Sequence, residues 1–237
     1  MIIHKLIWHH LKAGDNEEFY LLQARDALSW LENHGVAFNA DTKCLDLGCG
    51  HGIVGAEIAK KGSQITFADQ ENYLISELKH HSFLKADIDS DDLAALGQYD
   101  LVICSNVYEH LTNPNRLLQT MPSMLRNGGY FYLTWTNWLS PWGGHEFSPF
   151  HYLGPRFGIR CYDKIIGKSR KHTPGVNLFP TYIGETVKAI HQVPGLKVLK
   201  IVPRYYPELG MLMHIPLLRE IFAWNCALLI QKTIPNR

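Results

Sequence analysis

Two periodicities take turns along this chain: short apolar runs of strand type, and stretches whose apolar positions fall three and four residues apart. Leu21, Ala24, Leu28 and Leu31 share one helical face up to about Asn33, and the D-x-x-E pattern of Asp15 and Glu18 resembles a capping box, which predicts an amphipathic helix laid over a sheet. Cys44, Leu45 and Leu47 form a short strand, Gly48, Gly50 and Gly52 interrupt it, and Ile53 to Ala59 reads as a helix stopped by Gly62. QITFAD, ending at Asp69, is a second strand, followed by a helix near Tyr73 to Lys79 and a third strand from Phe83 to Ala86. YDLVICSN is a continuous apolar run of the buried parallel kind. Asn113 and Pro114 suit the N-cap and first position of a helix to Arg126, and Asn127, Gly128 and Gly129 turn into a fifth strand, YFYLTWTN. Thr181 to Gln192 is a further helix, LKVLKIVP a sixth strand and WNCALLIQKT a seventh, with Pro216 opening a short helix between them. This alternation predicts a doubly wound α/β sheet.

The rhythm breaks between Trp135 and about Pro180. Trp135, Trp138 and Trp142, three of the chain's six tryptophans, fall within eight residues beside His145, Glu146, Phe147, Phe150 and His151. A basic stretch, Lys164, Lys168, Arg170, Lys171 and His172, follows; it suits a solvated loop face or the neutralisation of an acidic group on a ligand.

Composition narrows the classes of function. A chain of 237 residues with 46% apolar residues can bury one substantial core, and a net charge of +1 without a basic arm predicts no nucleic-acid partner. Five cysteines scattered at 44, 49, 104, 161 and 226 suit a reduced, cytoplasmic protein. No run approaches the roughly 18 apolar residues of a membrane span. The aromatic cluster leaves peripheral contact with a membrane surface open.

Glycines after a strand and before a helix let a ligand approach backbone N–H groups with no Cβ in the way. Gly50, Gly52 and Gly55 satisfy the literal dinucleotide pattern G-x-G-x-x-G, which admits a nicotinamide oxidoreductase. The register argues otherwise, because Gly48 and Cys49 intervene between strand and pattern and Asp46 stands ahead of it. Read from there, DLGCGHG resembles the first motif of the class I S-adenosylmethionine-dependent methyltransferases of small-molecule type. SNVYEHL after the fourth strand is similar to that family's corresponding segment, and the helix, double glycine and aromatic strand that follow are a third match. The segment lacks the Asn/Asp-Pro-Pro-aromatic pattern of enzymes that methylate amino groups of DNA bases or glutamine.

The resemblance implies a seven-stranded, mostly parallel Rossmann-like sheet with one antiparallel strand. It implies a single domain over 1–237, with a helical cap at 1–40 and a lid inserted after strand five at 136–180. S-adenosylmethionine is the implied cofactor. Gly48, Gly50 and Gly52 would form its turn, with Asp46 ordering that turn or the methionine amino group. Asp69 would take the ribose hydroxyls, the alternative being a helix N-cap, and Asp87, closing the third strand, would take the adenine amino group. Gln70, Ile88 and Asn106 complete the expected cofactor contacts. A calcium loop beginning at Asp87 fails for want of a sixth-position glycine and a twelfth-position glutamate, where Asp92 and Gln98 stand, so the neighbouring acids are read as solvated. Trp138, Trp142, Glu146 and Phe150 are the expected acceptor contacts. His145, His151 and His110 are the candidate bases, while Glu109 and His110 serve equally as packing or capping residues. His145, Glu146 and His151 lack helical zinc spacing, and no metal is expected. The implied activity is methyl transfer to a small molecule, a lipophilic or sugar hydroxyl being favoured. A non-catalytic S-adenosylmethionine-binding subunit and the nicotinamide enzyme are the alternatives. Trp8, His9 and His10 are either a segment closing over the cofactor or surface residues packed on the first helix.

Overall fold

The computed structural model describes residues 2–13 and 16–233. Its centre is one seven-stranded sheet in the order β3-β2-β1-β4-β5-β7-β6. The strands are β1 (Lys43–Leu47), β2 (Gln64–Asp69), β3 (Ser82–Lys85), β4 (Tyr99–Ser105), β5 (Leu125–Thr136), β6 (Leu196–Pro203) and β7 (Asn225–Lys232). β1 to β5 pair in parallel, and β7 runs antiparallel to both β5 and β6.

Strand periodicity divides the core into two layers. Along β4, Val102 and Cys104 point to one face and Leu101 and Ile103 to the other. The first face is covered by α4 (Pro114–Met124) and α6 (Ile183–His191), through Leu117, Leu118, Met121 and Ile190. The second is covered by α2 (Glu17–Asn33) and α3 (Ile53–Lys60), through Ala27, Leu28, Leu31 and Ile58. Helices on both faces of a largely parallel sheet leave the strand carboxyl ends as the open edge for a ligand.

Several local expectations shift. α2 is capped by Asn16, whose side chain accepts the Phe19 N–H at 3.1 Å; Asp15, expected in that role, lies outside the described residues. A helix precedes it, α1 (Ile3–Ala13), on which Trp8 is exposed while Leu6 is buried and His9 reaches Glu18 at 3.3 Å; the His10 side chain lies outside the description. The helix expected near Tyr73 to Lys79 is only a tight turn at Ser76–Leu78. α4 stops at Met124, and Asn127 to Gly129 form a bulge inside β5, where Leu125 pairs with Tyr99 and Tyr130 with Leu101. Gly128 adopts φ +78° there.

Between β5 and α6, the segment contains short turns at His145–Phe147 and Phe150–Leu153 and an unexpected helix, α5 (Pro155–Ile165). A short turn at Pro207–His214 and helix α7 (Pro216–Phe222) join β6 to β7. Among the described residues, no helix is long and apolar enough to cross a membrane.

Candidate active site

The glycine turn leaves β1 with three left-handed residues, Gly48 (φ +72°), Gly50 (φ +52°) and Gly52 (φ +81°). Two of the three are also confined by packing: a Cβ would stand 2.5 Å from Val107 at Gly48 and 2.6 Å from Leu74 at Gly52. At Gly50 it would meet nothing within 4 Å, so the turn is open at its middle. The turn is anchored to β2, because the Gly48 and Cys49 N–H groups donate to Ala68 O and the Gly50 N–H donates to Asp69 Oδ2 at 2.8 Å. Gly52 provides no side-chain cap for α3, so the turn delivers a helix N-terminus whose positive end suits an electron-rich ligand.

Asp46 is buried and accepts the Gly55 N–H at 2.9 Å. Burial, opposed by that hydrogen bond and reinforced by the nearby Asp69 charge, pushes its carboxyl up to about 7. Gly55, which completes the accidental dinucleotide pattern, serves packing: a Cβ there would lie 2.2 Å from the Phe67 ring.

Along the rim, Asp69 Oδ1 accepts the Gln70 N–H at 2.7 Å, and the Gln70 amide reaches Asp87 Oδ1 at 3.3 Å. The Asp89 N–H holds the Asp87 carboxyl below its usual range. Asp89 and Asp91 are not merely solvated acids. Asp89 accepts the N–H groups of Thr112 and Asn113, and Asp91 accepts that of Asp87, so the loop after β3 is tied to the start of α4 with Ile88 buried beneath it. Asn106, at the end of β4, adopts φ +57°. Its Oδ1 accepts Nδ2 of Asn225 at 2.8 Å and Nη1 of the buried Arg204 at 3.3 Å. Arg204 and Asn225, from β6's end and β7, had no signal in the sequence; only the antiparallel return of β7 brings them here.

A second cluster lies where β4 and β5 end. Glu109 is 1% exposed; its Oε1 accepts the Thr136 N–H at 2.9 Å, while Oε2 has no partner. His145 stands with Nε2 3.8 Å from Glu109 Oε1, also without a hydrogen bond, on a backbone at φ +50°. Burial chiefly, offset in part by Glu109, lowers its imidazole to about 4. His110 approaches within a ring-centroid distance of 5.3 Å of His145, and its Nδ1 donates to Asn177 O at 2.7 Å, which leaves Nε2 as an acceptor. His172 stacks on His110 at 5.0 Å and leans against His145 at 4.6 Å, with Nδ1 donating to Glu146 Oε2 at 2.7 Å.

The remaining lid candidates sit elsewhere. His151, expected among the bases, is 1% exposed and donates Nε2–H to Ser140 O at 3.2 Å, with its ring edge-on to Trp138, so it belongs to the segment's own core. Trp138 is buried with it, and Phe150 packs on Phe147 and Tyr162. Glu146 accepts from the His172 ring and from the N–H groups of Lys171 and His172; burial would raise its carboxyl, but chiefly the two His172 hydrogen bonds outweigh that and bring it to about 2. Of the expected aromatic acceptor contacts, Trp142 alone is exposed, while leaning on Trp224 at 4.4 Å. His145, Glu146 and His151 therefore do not converge on one point.

A methyltransferase-domain family model matches residues 17–164. The chain belongs to that family. An uncharacterized methyltransferase of Mycobacteroides abscessus is 30% identical over 231 residues, which span 91% of this chain and 87% of the relative. The solved S-adenosylmethionine-dependent methyltransferase of Mesorhizobium loti shares the fold, with a TM-score of 0.59 at 17% identity over 87% of this chain and 98% of its own. Magnesium protoporphyrin IX methyltransferase of Synechocystis PCC 6803, solved with bound S-adenosylhomocysteine, gives 0.54 at 15% identity over 90% and 84%. This methyltransferase uses S-adenosylmethionine, and the nicotinamide reading of Gly50 to Gly55 falls. The left-handed turn, open only above Gly50, fits such a cofactor.

Proposed function

We propose that this methyltransferase methylates a hydroxyl group of a lipophilic or sugar-containing small molecule. The observation that carries the reading is the unpartnered His145 Nε2 beside the buried Glu109 carboxylate at the carboxyl ends of β4 and β5. Bound over the glycine turn, S-adenosylmethionine supplies an electrophilic methyl group on a good leaving group. The protein's tasks are then alignment and, for a hydroxyl acceptor, removal of one proton. Burial keeps His145 neutral at pH 7, so one of its ring nitrogens is an acceptor, and the Glu109 carboxylate stabilises the imidazolium formed when that nitrogen takes a proton. His110 offers its own free Nε2 alongside. Exposed Trp142, Tyr152, Leu153 and Phe157 on the inserted segment suit a lipophilic acceptor.

On the cofactor side, Gly48, Gly50 and Gly52 would line the turn and Asp46 would order it. Asp69 would accept the ribose hydroxyls on lone pairs not used by Gly50 and Gln70. Asp87 and Ile88 would hold the adenine, and Asn106 would border the methionine end.

The test is turnover with a panel of hydroxylated acceptors. His145→Ala should lower kcat by roughly 100-fold or more, the usual range for a general base, with cofactor affinity unchanged. A kcat within a few fold of the parent would remove His145 from this role.

A further inference from the structure

Glu109, His110 and His145 present one carboxylate oxygen and two ring nitrogens within 4.8 Å of one another, and several features of the cluster make poor sense without an occupant. Glu109 is 99% buried, yet Oε2 has no hydrogen-bond partner, which is a costly arrangement for a carboxylate. His145 Nε2 lies 3.8 Å from the other carboxylate oxygen, Oε1, too far for a hydrogen bond, and is itself unpartnered. His110 donates from Nδ1 to the Asn177 carbonyl, the kind of outer contact that fixes the tautomer of a metal-ligating histidine and leaves the Nε2 lone pair for a ligand. His172, held by Glu146, walls the two rings. His145 maintains its place on a left-handed backbone that a non-glycine residue rarely adopts.

We infer that Glu109, His110 and His145 form a site for one divalent transition-metal cation of the Zn²⁺ or Mn²⁺ class. Two imidazoles and a carboxylate suit such ions. Bonds of about 2.1 Å in a tetrahedron place ligand atoms about 3.4 Å apart, so small side-chain rotations close the observed spacing. Three protein ligands leave a coordination position open. That position would take the acceptor's oxygen and acidify its hydroxyl, a role that rests on the hydroxyl-acceptor reading above; the binding of the ion does not. With the ion bound, His110 and His145 would serve as ligands, the ion would take over the task given above to His145 as base, and the proton of the coordinated hydroxyl would pass to solvent.

The test is calorimetric titration of the apo protein with MnCl₂ and ZnSO₄, in a His80→Ala background that breaks up the neighbouring histidine pair at 80 and 81. Mn²⁺ separates this site from adventitious zinc binding to thiols. The expected result is one ion per chain with micromolar or tighter affinity for Zn²⁺ and saturable Mn²⁺ binding, both weakened at least 30-fold by Glu109→Gln and by His110→Ala. Glu109→Gln keeps an acceptor for the Thr136 N–H, and its folding is checked by thermal unfolding alongside the parent. Absence of a one-to-one isotherm, or unchanged affinity in both folded variants, would overturn the site. Because neither acceptor nor cofactor is present, that failure would leave the hydroxyl-acceptor reading standing, to be judged by turnover.

Discussion

Gly50 and Gly55 lie five positions apart in one motif and are glycines for different reasons. At Gly50 the backbone is left-handed and the space above it is open; at Gly55 the space is filled by Phe67. Gly50→Ala should therefore cost about 1 kcal/mol of stability for the αL backbone, yet weaken S-adenosylmethionine binding at least 10-fold. Gly55→Ala should cost about 1–3 kcal/mol through overpacking while folded protein binds the cofactor nearly as the parent does. Denaturant unfolding and calorimetry on both variants check this, and normal cofactor affinity in Gly50→Ala would contradict it. Residue types along the turn were legible because strand, glycine and helix follow in sequence. The histidine cluster was not. In the sequence His145 stands beside Glu146 and near His151, whereas folding sets it against Glu109, His110 and His172, and buries His151 on Ser140.

At the scale of elements, strands read most clearly, because burial on both faces demands the continuous apolar runs seen in β4 and β7. Helices misread where few contacts carry the signal. Leu74 and Leu78 imitate helical spacing, but the Asn72 side chain accepts the Leu74 N–H and favours a turn, and the two leucines instead cover Gly52. α5 buries only Gly158 and Tyr162, too few positions to mark a core-facing stripe in the sequence. Within the inserted segment, Glu146 joins the turn at His145–Phe147 to the stretch at Lys171 and His172 through three hydrogen bonds. Glu146→Ala should free this stretch and the His172 ring. Amide exchange over residues 168–177 should quicken at least 10-fold while cofactor affinity stays within about 2-fold, since Gly48 to Asp87 are untouched. Unchanged exchange would show that this tie is not what orders the segment.

For the whole molecule, the strand order reverses between β1 and β4, so the glycine turn and the segment after β4 face one crevice at the carboxyl edge. Val107 against Gly48 joins the two directly. The late strands β6 and β7 close that edge with Arg204 and Asn225, which hold Asn106. The sheet was legible from alternation alone, and the antiparallel ending from the resemblance. The closure was not, because it depends on residues about 100 positions from those they hold.

The central claim is that this crevice binds S-adenosylmethionine and not a dinucleotide. Calorimetric titration of the purified protein with S-adenosylmethionine, S-adenosylhomocysteine and NAD⁺ tests it most directly. The account predicts micromolar one-to-one binding of the first two and none of NAD⁺; binding of NAD⁺ alone would contradict it.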